Sequence, residues 1–216
     1  MRCYRDEEID YIFDISGGDI ANAVLPYLNY GEIGKSDKVF WGYSDLTTVV
    51  NAIYTKTGKA SVLYQIKNLI YDYGKARMED LKSGKLINDF SYSFVQGTEM
   101  EGVVIGGNIR CFLKLAGTEY MPNFEEKILL LESLSGKVPQ METYLCQLQQ
   151  LGAFDKVSGI LLGTFTQMEK ENCKSAMPEL IKGFVSHDIP IAMTGQIGHG
   201  LDAKAIWIGK PIKLKA

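Results

Sequence analysis

The chain contains two histidines, His187 and His199, so base chemistry run by an imidazole has two possible seats. His187 lies in FVSHDIP, where a helix is expected to end and a histidine commonly serves the helix C-terminus. His199 lies in TGQIGHGLD, a glycine-rich loop after the apolar run IPIAM. Strand-carried loops often hold functional side chains, although a solvated loop histidine would look the same. A serine hydroxyl needs such a base to become a nucleophile, and it needs exposure to reach a carbonyl. Ser44 has that setting in KVFWGYSDLTTVV: an apolar run, the turn Gly42-Tyr43-Ser44-Asp45, then a helical pattern. A tight strand-to-helix turn there would aim the backbone N–H of Asp45 and the positive helix end at a developing oxyanion. The match to the G-x-S-x-G elbow is partial, because Leu46 occupies the last glycine position. Serine and aspartate before a helix are equally good caps. Glu132 closes the apolar run ILLL, either as an acid at the mouth of a sheet or as a strand-end glutamate reaching solvent. A carboxylate in the first position would fix a histidine tautomer and stabilise its imidazolium. Ser44, Glu132 and His199 all follow predicted strands and occur in the order nucleophile, acid, histidine.

Elements that would position these residues can be read from periodicity. DYIFDI, stopped by Ser16-Gly17-Gly18-Asp19, predicts a strand and a turn, and IANAVLPYL a helix interrupted by Pro26. KVFW predicts a second strand, with Leu46, Val49, Val50, Ile53 and Thr57 on one face of the helix that follows. Two βα units predict a parallel sheet that two strands alone are too few to form. Residues 58–98 read as linker or surface excursion around MEDLKSGKLIND. Beyond them GVVIGGN, EEKILLLES, VSGILLGTF and IPIAMTG predict strands; IRCFLKLAGT, PQMETYLCQLQQLG and MPELIKGFVSH predict helices. AIWIGKPIKLK predicts a terminal hairpin around Gly209-Lys210. The expected division is an N-terminal α/β domain over residues 1–88, carrying the nucleophile turn, and a C-terminal domain over 89–216, carrying the glutamate and histidine.

Hydrophobic residues at 46% and charged ones at 23% describe a chain able to bury a core, which excludes disordered and fibrous classes. A net charge of -3 with no basic run excludes a nucleic-acid partner. No apolar stretch approaches the roughly 20 residues that span a bilayer, and MRCYRDEEIDY lacks the apolar core of a signal peptide, so a cytoplasmic, membrane-free protein is expected. Cys3, Cys111, Cys146 and Cys173 have neither CxxC spacing nor neighbouring histidines. They are expected to be reduced thiols, with no metal or cofactor bound.

GGDIANAVLPYLNYGEI, KVFWGYSDLTTV, GGNIRCFLKLAGTEYMPNFEEKILLLES, QLQQLGAFDKVSGILLGTF and IPIAMTGQIGHG together resemble the LD-carboxypeptidases of serine peptidase family S66. That family includes muramoyl-tetrapeptide carboxypeptidases and microcin C immunity hydrolases. The resemblance runs in family order across nearly the whole chain. It implies a Ser44, Glu132, His199 triad and an oxyanion hole built from the backbone N–H groups of Asp45 and of Gly17 or Gly18. The implied fold is α/β: an N-terminal parallel, Rossmann- or flavodoxin-like domain, here truncated, joined to a C-terminal domain with a barrel-like mixed sheet. The implied activity is cleavage of the L,D-amide bond of muropeptide tetrapeptides in peptidoglycan recycling, by a homodimer. A microcin-C-type immunity hydrolase and a truncated, non-catalytic muropeptide-binding paralogue are the alternatives. The family pattern starts upstream of Met1, and Ser16, Ser133 and Gly136 stand where the family commonly has an arginine and two acids.

Overall fold

The computed structural model describes residues 1–70, 74–171 and 176–216. In chain order its strands are β1 (Tyr11–Phe13), β2 (Val39–Gly42), β3 (Ser61–Leu63), β4 (Ser93–Gln96), β5 (Glu99–Asn108), β6 (Lys127–Ser133), β7 (Gly159–Phe165), β8 (Ile191–Met193), β9 (Ile206–Ile208) and β10 (Pro211–Lys215). They form two sheets, ordered β1-β2-β3-β9 and β10-β5-β6-β7-β8-β4.

The first sheet completes the layer that two βα units could not. Strands β1, β2 and β3 are parallel, with Tyr11 opposite Val39 and Trp41 opposite Val62. β9 closes the sheet antiparallel to β3, with Val62 opposite Trp207. Two expectations are corrected here. Residues 58–98 are not simply a linker, since they contain β3, β4 and the helix Gly74–Ser83. The tail is not a hairpin: β9 pairs with β3 while β10 pairs with β5 in the other sheet. Gly209, at φ +90°, turns the chain from one sheet to the other. Local pattern marks two strands and a turn, but it does not reveal that each strand has a distant partner.

The second sheet has a parallel centre, β5 to β8, and an antiparallel strand at each edge. β7 is buried at every position and β6 at every position after Lys127, which is why KILLLES and GILLGTF read as continuous rather than alternating apolar runs. Tyr92, just before β4, and Lys215, in β10, are joined by two hydrogen bonds of 2.9 and 3.0 Å. The sheet therefore curls until its opposite edges meet, giving the barrel-like form. Over its apolar surface lies the helix Val138–Gln150, with Pro139 in its first turn and Met141, Leu145 and Leu148 buried.

The helix Thr47–Thr57 lies between the two sheets, so residues Thr47 to Ile53 are all buried rather than one face alone. Its buried polar groups are hydrogen-bonded, as burial requires. Asn51 Nδ2 donates to the Gly106 carbonyl at 2.8 Å, and Gly106 N donates to Asn51 Oδ1 at 2.9 Å. Thr47 Oγ1 accepts from Asn108 N at 3.1 Å. The helix behind Ser44 is thereby clamped to the C-terminal end of β5, where Asn108 is the register partner of Glu132 on β6.

Among the described residues no helix is long and apolar enough to cross a membrane. Cys3 is exposed, Cys111 buried and Cys146 half-buried, all as free thiols; Cys173 lies outside the described residues.

Candidate active site

Ser44 follows β2 at the first position of a short 3-10 turn, Ser44–Leu46, that leads into the helix Thr47–Thr57. Its φ is +55°, unusual for a residue with a side chain, and holding it there costs roughly 1–3 kcal/mol. Gly42 supplies the room: a Cβ there would sit 2.8 Å from Leu46 Cβ. The elbow closes through Leu46 N to Tyr43 O at 3.0 Å. Neither the turn nor the helix takes a side-chain cap, so the capping reading of Ser44 does not describe its place. The Asp45 carboxylate points away from the helix and accepts from Ala21 N at 2.7 Å.

Glu132 is the next-to-last residue of β6 and is fully buried. Its Oε2 lies 2.6 Å from His199 Nδ1. A carboxylate facing Nδ1 favours the tautomer in which Nδ1–H donates to it, and in a neutral imidazole of that tautomer Nε2 carries the lone pair. Nε2 lies 3.3 Å from Ser44 Oγ. The three residues selected from the sequence are thus brought into one relay, from a buried acid through an imidazole to a half-exposed hydroxyl.

His199 is held by the loop that joins β8 to β9. Thr164 N donates to Ile197 O at 2.8 Å, and His199 N donates to Thr164 Oγ1 at 3.2 Å. Gly198 makes that approach possible, because a Cβ at its φ of +140° would lie 2.0 Å from Thr164 Oγ1. The Tyr43 ring packs on the imidazole with centroids 4.6 Å apart. Burial, and then the charge of Glu132, pushes the Tyr43 phenol well above its usual range, so it stays neutral beside the histidine.

Gly17 and Gly18 lie in the exposed turn after β1, with Gly18 at φ +132°. This turn is linked to Asp45 through the Ala21 bond. His187, the other histidine, is exposed just before β8, at the end of that strand opposite the loop carrying His199. Reading the sequence did not select Thr164, Asn51 or Lys114. Nothing in a strand-end threonine, a mid-helix asparagine or a helix lysine marks them, because their partners are distant in the chain. Among the described residues there is no group of three or more side chains able to hold a metal ion.

Residues 1–64 match the LD-carboxypeptidase N-terminal domain and residues 101–214 the LD-carboxypeptidase C-terminal domain. A Treponema pallidum protein named as a carboxypeptidase is 29% identical over 192 residues, covering 75% of this chain and 57% of its own length. The Escherichia coli microcin C7 self-immunity protein MccF is 28% identical over 194 residues, covering 72% of this chain and 56% of its own. The chain thus spans little more than half the length of these relatives. The solved muramoyltetrapeptide carboxypeptidase of Oxalobacter formigenes superposes with a TM-score of 0.80 at 22% identity, over 100% of this chain and 78% of that one, a likeness of fold. With the C-terminal domain match alone covering more than half of its residues, the chain belongs to the LD-carboxypeptidase family.

Proposed function

We propose that the protein is a serine hydrolase that cleaves the L,D-amide bond of peptidoglycan-derived muropeptide tetrapeptides, with Ser44 as nucleophile, His199 as base and Glu132 as its orienting acid. The observation that carries this reading is the relay of 2.6 Å from Glu132 to His199 and 3.3 Å from His199 to Ser44. The family to which the chain belongs supplies the bond type.

In the proposed reaction His199 Nε2 takes the Ser44 proton as Oγ attacks the amide carbon. The backbone N–H of Asp45, with one from Gly17 or Gly18, faces the resulting oxyanion. The imidazolium returns the proton to the leaving nitrogen, which departs as a free D-amino acid and leaves an acyl ester on Ser44. Water, deprotonated by the same imidazole, hydrolyses that ester and restores the serine. Glu132 keeps its hydrogen bond to Nδ1 and holds the tautomer that makes both transfers possible. The reading includes a cytoplasmic homodimer, for which light scattering should give twice 24.1 kDa.

The likeness to MccF favours a second substrate class, since related structures hold aspartyl sulfamoyl adenosine and glutamyl sulfamoyl guanosine. One experiment separates the two. The full chain is incubated with an L,D-tetrapeptide, its D,D counterpart and an aminoacyl sulfamoyl adenosine, and released D-alanine and sulfamoyl adenosine are quantified. Release of D-alanine from the L,D-peptide alone is expected. Cleavage of the nucleoside conjugate without peptide turnover would transfer the activity to the second class, and turnover of neither would reject both.

A further inference from the structure

Between Asp14 and Ala21 the turn that carries Gly17 and Gly18 is exposed and has few attachments. Asp14 N bonds Trp41 O at the end of β1, and Ser16 N bonds the Asp14 side chain locally. Among the described residues, the hydrogen bonds and ion pairs that fix the rest of the turn to the body of the protein come from two places. One is Asp45, which accepts from Ala21 N at 2.7 Å. The other is the helix Ile109–Leu113 and its C-cap Lys114, where Arg110 forms an ion pair with the Asp19 carboxylate and Lys114 Nζ donates to the Asp19 carbonyl at 2.7 Å. Lys114 Nζ also forms an ion pair with Asp45 Oδ1. A single ammonium therefore joins three segments remote in sequence: the glycine turn, the nucleophile turn and the helix after β5.

The pair is largely withdrawn from solvent, with the Asp45 side chain 2% and the Lys114 side chain 19% exposed. A carboxylate taken out of water needs a partner charge. It also stands one residue from Ser44, where an uncompensated negative charge would oppose an oxyanion forming beside it. Lys114 meets both needs, and through the Asp19 carbonyl it adds the mechanical tie.

We propose that Lys114 is a positioning residue that locks the glycine turn of residues 17–21 onto the nucleophile turn, and so sets the second oxyanion donor relative to Ser44. The catalytic part of this proposal rests on the hydrolase reading above, while the tie itself does not.

The test compares the full chain with Lys114→Met, which keeps the apolar stem, and Lys114→Arg, which restores the charge and donors. The Ala21 amide, the one amide of residues 17–21 with a hydrogen-bond acceptor among the described residues, should exchange about tenfold or more faster in Lys114→Met, because a local tie has been opened. Exchange in Val138–Gln150 should not change, and Lys114→Arg should recover most of the protection. With the L,D-tetrapeptide, kcat should fall by about 10- to 100-fold in Lys114→Met, less than the roughly 10²–10³-fold loss from deleting an oxyanion donor. KM should move by less than about threefold, because the lost interaction acts in the transition state. Unchanged exchange at Ala21 would overturn the tie whatever the activity. Faster exchange with an unchanged kcat would overturn its catalytic role. Faster exchange in Lys114→Met, with a wild-type chain that hydrolyses nothing, would uphold the tie and reject the hydrolase reading instead.

Discussion

Ser44 is the residue at which residue type and backbone conformation come closest to a statement about chemistry. A serine at φ +55° before a buried helix carries strain that capping does not explain, since its oxygen caps nothing there. Its selection was possible because a hydroxyl, an acid and an imidazole at three strand ends are rare enough to stand out together. The residues that support them were not legible, because Thr164 and Lys114 act through the backbone of residues far away in the chain. For Glu132 the expected result is clear. Glu132→Gln keeps the size of the side chain but no longer enforces the Nδ1–H tautomer, so kcat for the L,D-tetrapeptide should fall by about 10²–10⁴-fold. The thermal midpoint should stay close to that of the wild type. A loss below threefold would remove Glu132 from the mechanism. A second expectation concerns thiols. Burial pushes Cys111 up to about 12, while Cys3 is exposed. Iodoacetamide at neutral pH should therefore modify Cys3 and leave Cys111 free, as peptide mass mapping would read; alkylation of Cys111 in the folded chain would contradict its burial.

Two elements do most to assemble the site, and they differ in how visible they were. The helix Thr47–Thr57 was evident from its period, but the clamp of Asn51 on Gly106 was not, since an asparagine inside a helix more often faces solvent. Asn51→Ala would leave a buried N–H and a buried carbonyl at the end of β5 without that partner. A destabilisation of about 2–4 kcal/mol is expected, seen as a lower denaturant midpoint at unchanged slope. A change under about 1 kcal/mol would mean that the clamp is replaced at no cost. β9 is the other element, and its apolar run showed a strand without showing its place. Two strands separated by Gly209-Lys210 suggest a hairpin, yet the chain uses that turn to move from the first sheet to the second. The consequence reaches His199, whose loop is stretched between β8 in one sheet and β9 in the other. β3 went unseen because three residues inside a glycine-punctuated stretch carry too little period to register.

At the scale of the whole molecule, the three residues of the relay come from both sheets: Ser44 follows β2, Glu132 is next to last in β6 and His199 lies on the crossing between them. Their geometry therefore depends on contacts that hold the His199 crossing against the first sheet. One is the Lys204 ammonium on Asp80, at 2.8 Å, which links the lead-in to β9 with the helix Gly74–Ser83. The hydrogen bond from Lys204 holds the Asp80 carboxyl below its ordinary value. A depressed folded value means that the contribution is present above the unfolded carboxylate range and is lost as pH falls through the folded value. Asp80→Asn should thus lower stability by up to about 1 kcal/mol near neutral pH, and the difference should shrink below about pH 4. A gap in denaturant midpoints that does not vary with pH would mean that charge is not its cause. The parallel layer was legible because strand, glycine turn and helix recur in order, whereas the curled mixed sheet was implied only by the family resemblance. Which strand neighbours which was not legible, since it depends on pairs brought together only in the folded chain.

The central claim is that Ser44 and His199 act as one catalytic unit, and a double-substitution cycle tests it most directly. Turnover of the L,D-tetrapeptide would be measured for the wild type, Ser44→Ala, His199→Ala and the double variant. A nucleophile and its base fail together, so each single change and the pair should all lower kcat by a similar factor, of order 10⁴ or more. Losses that multiply in the double variant, or a Ser44→Ala protein that retains more than about a tenth of the wild-type rate, would contradict it.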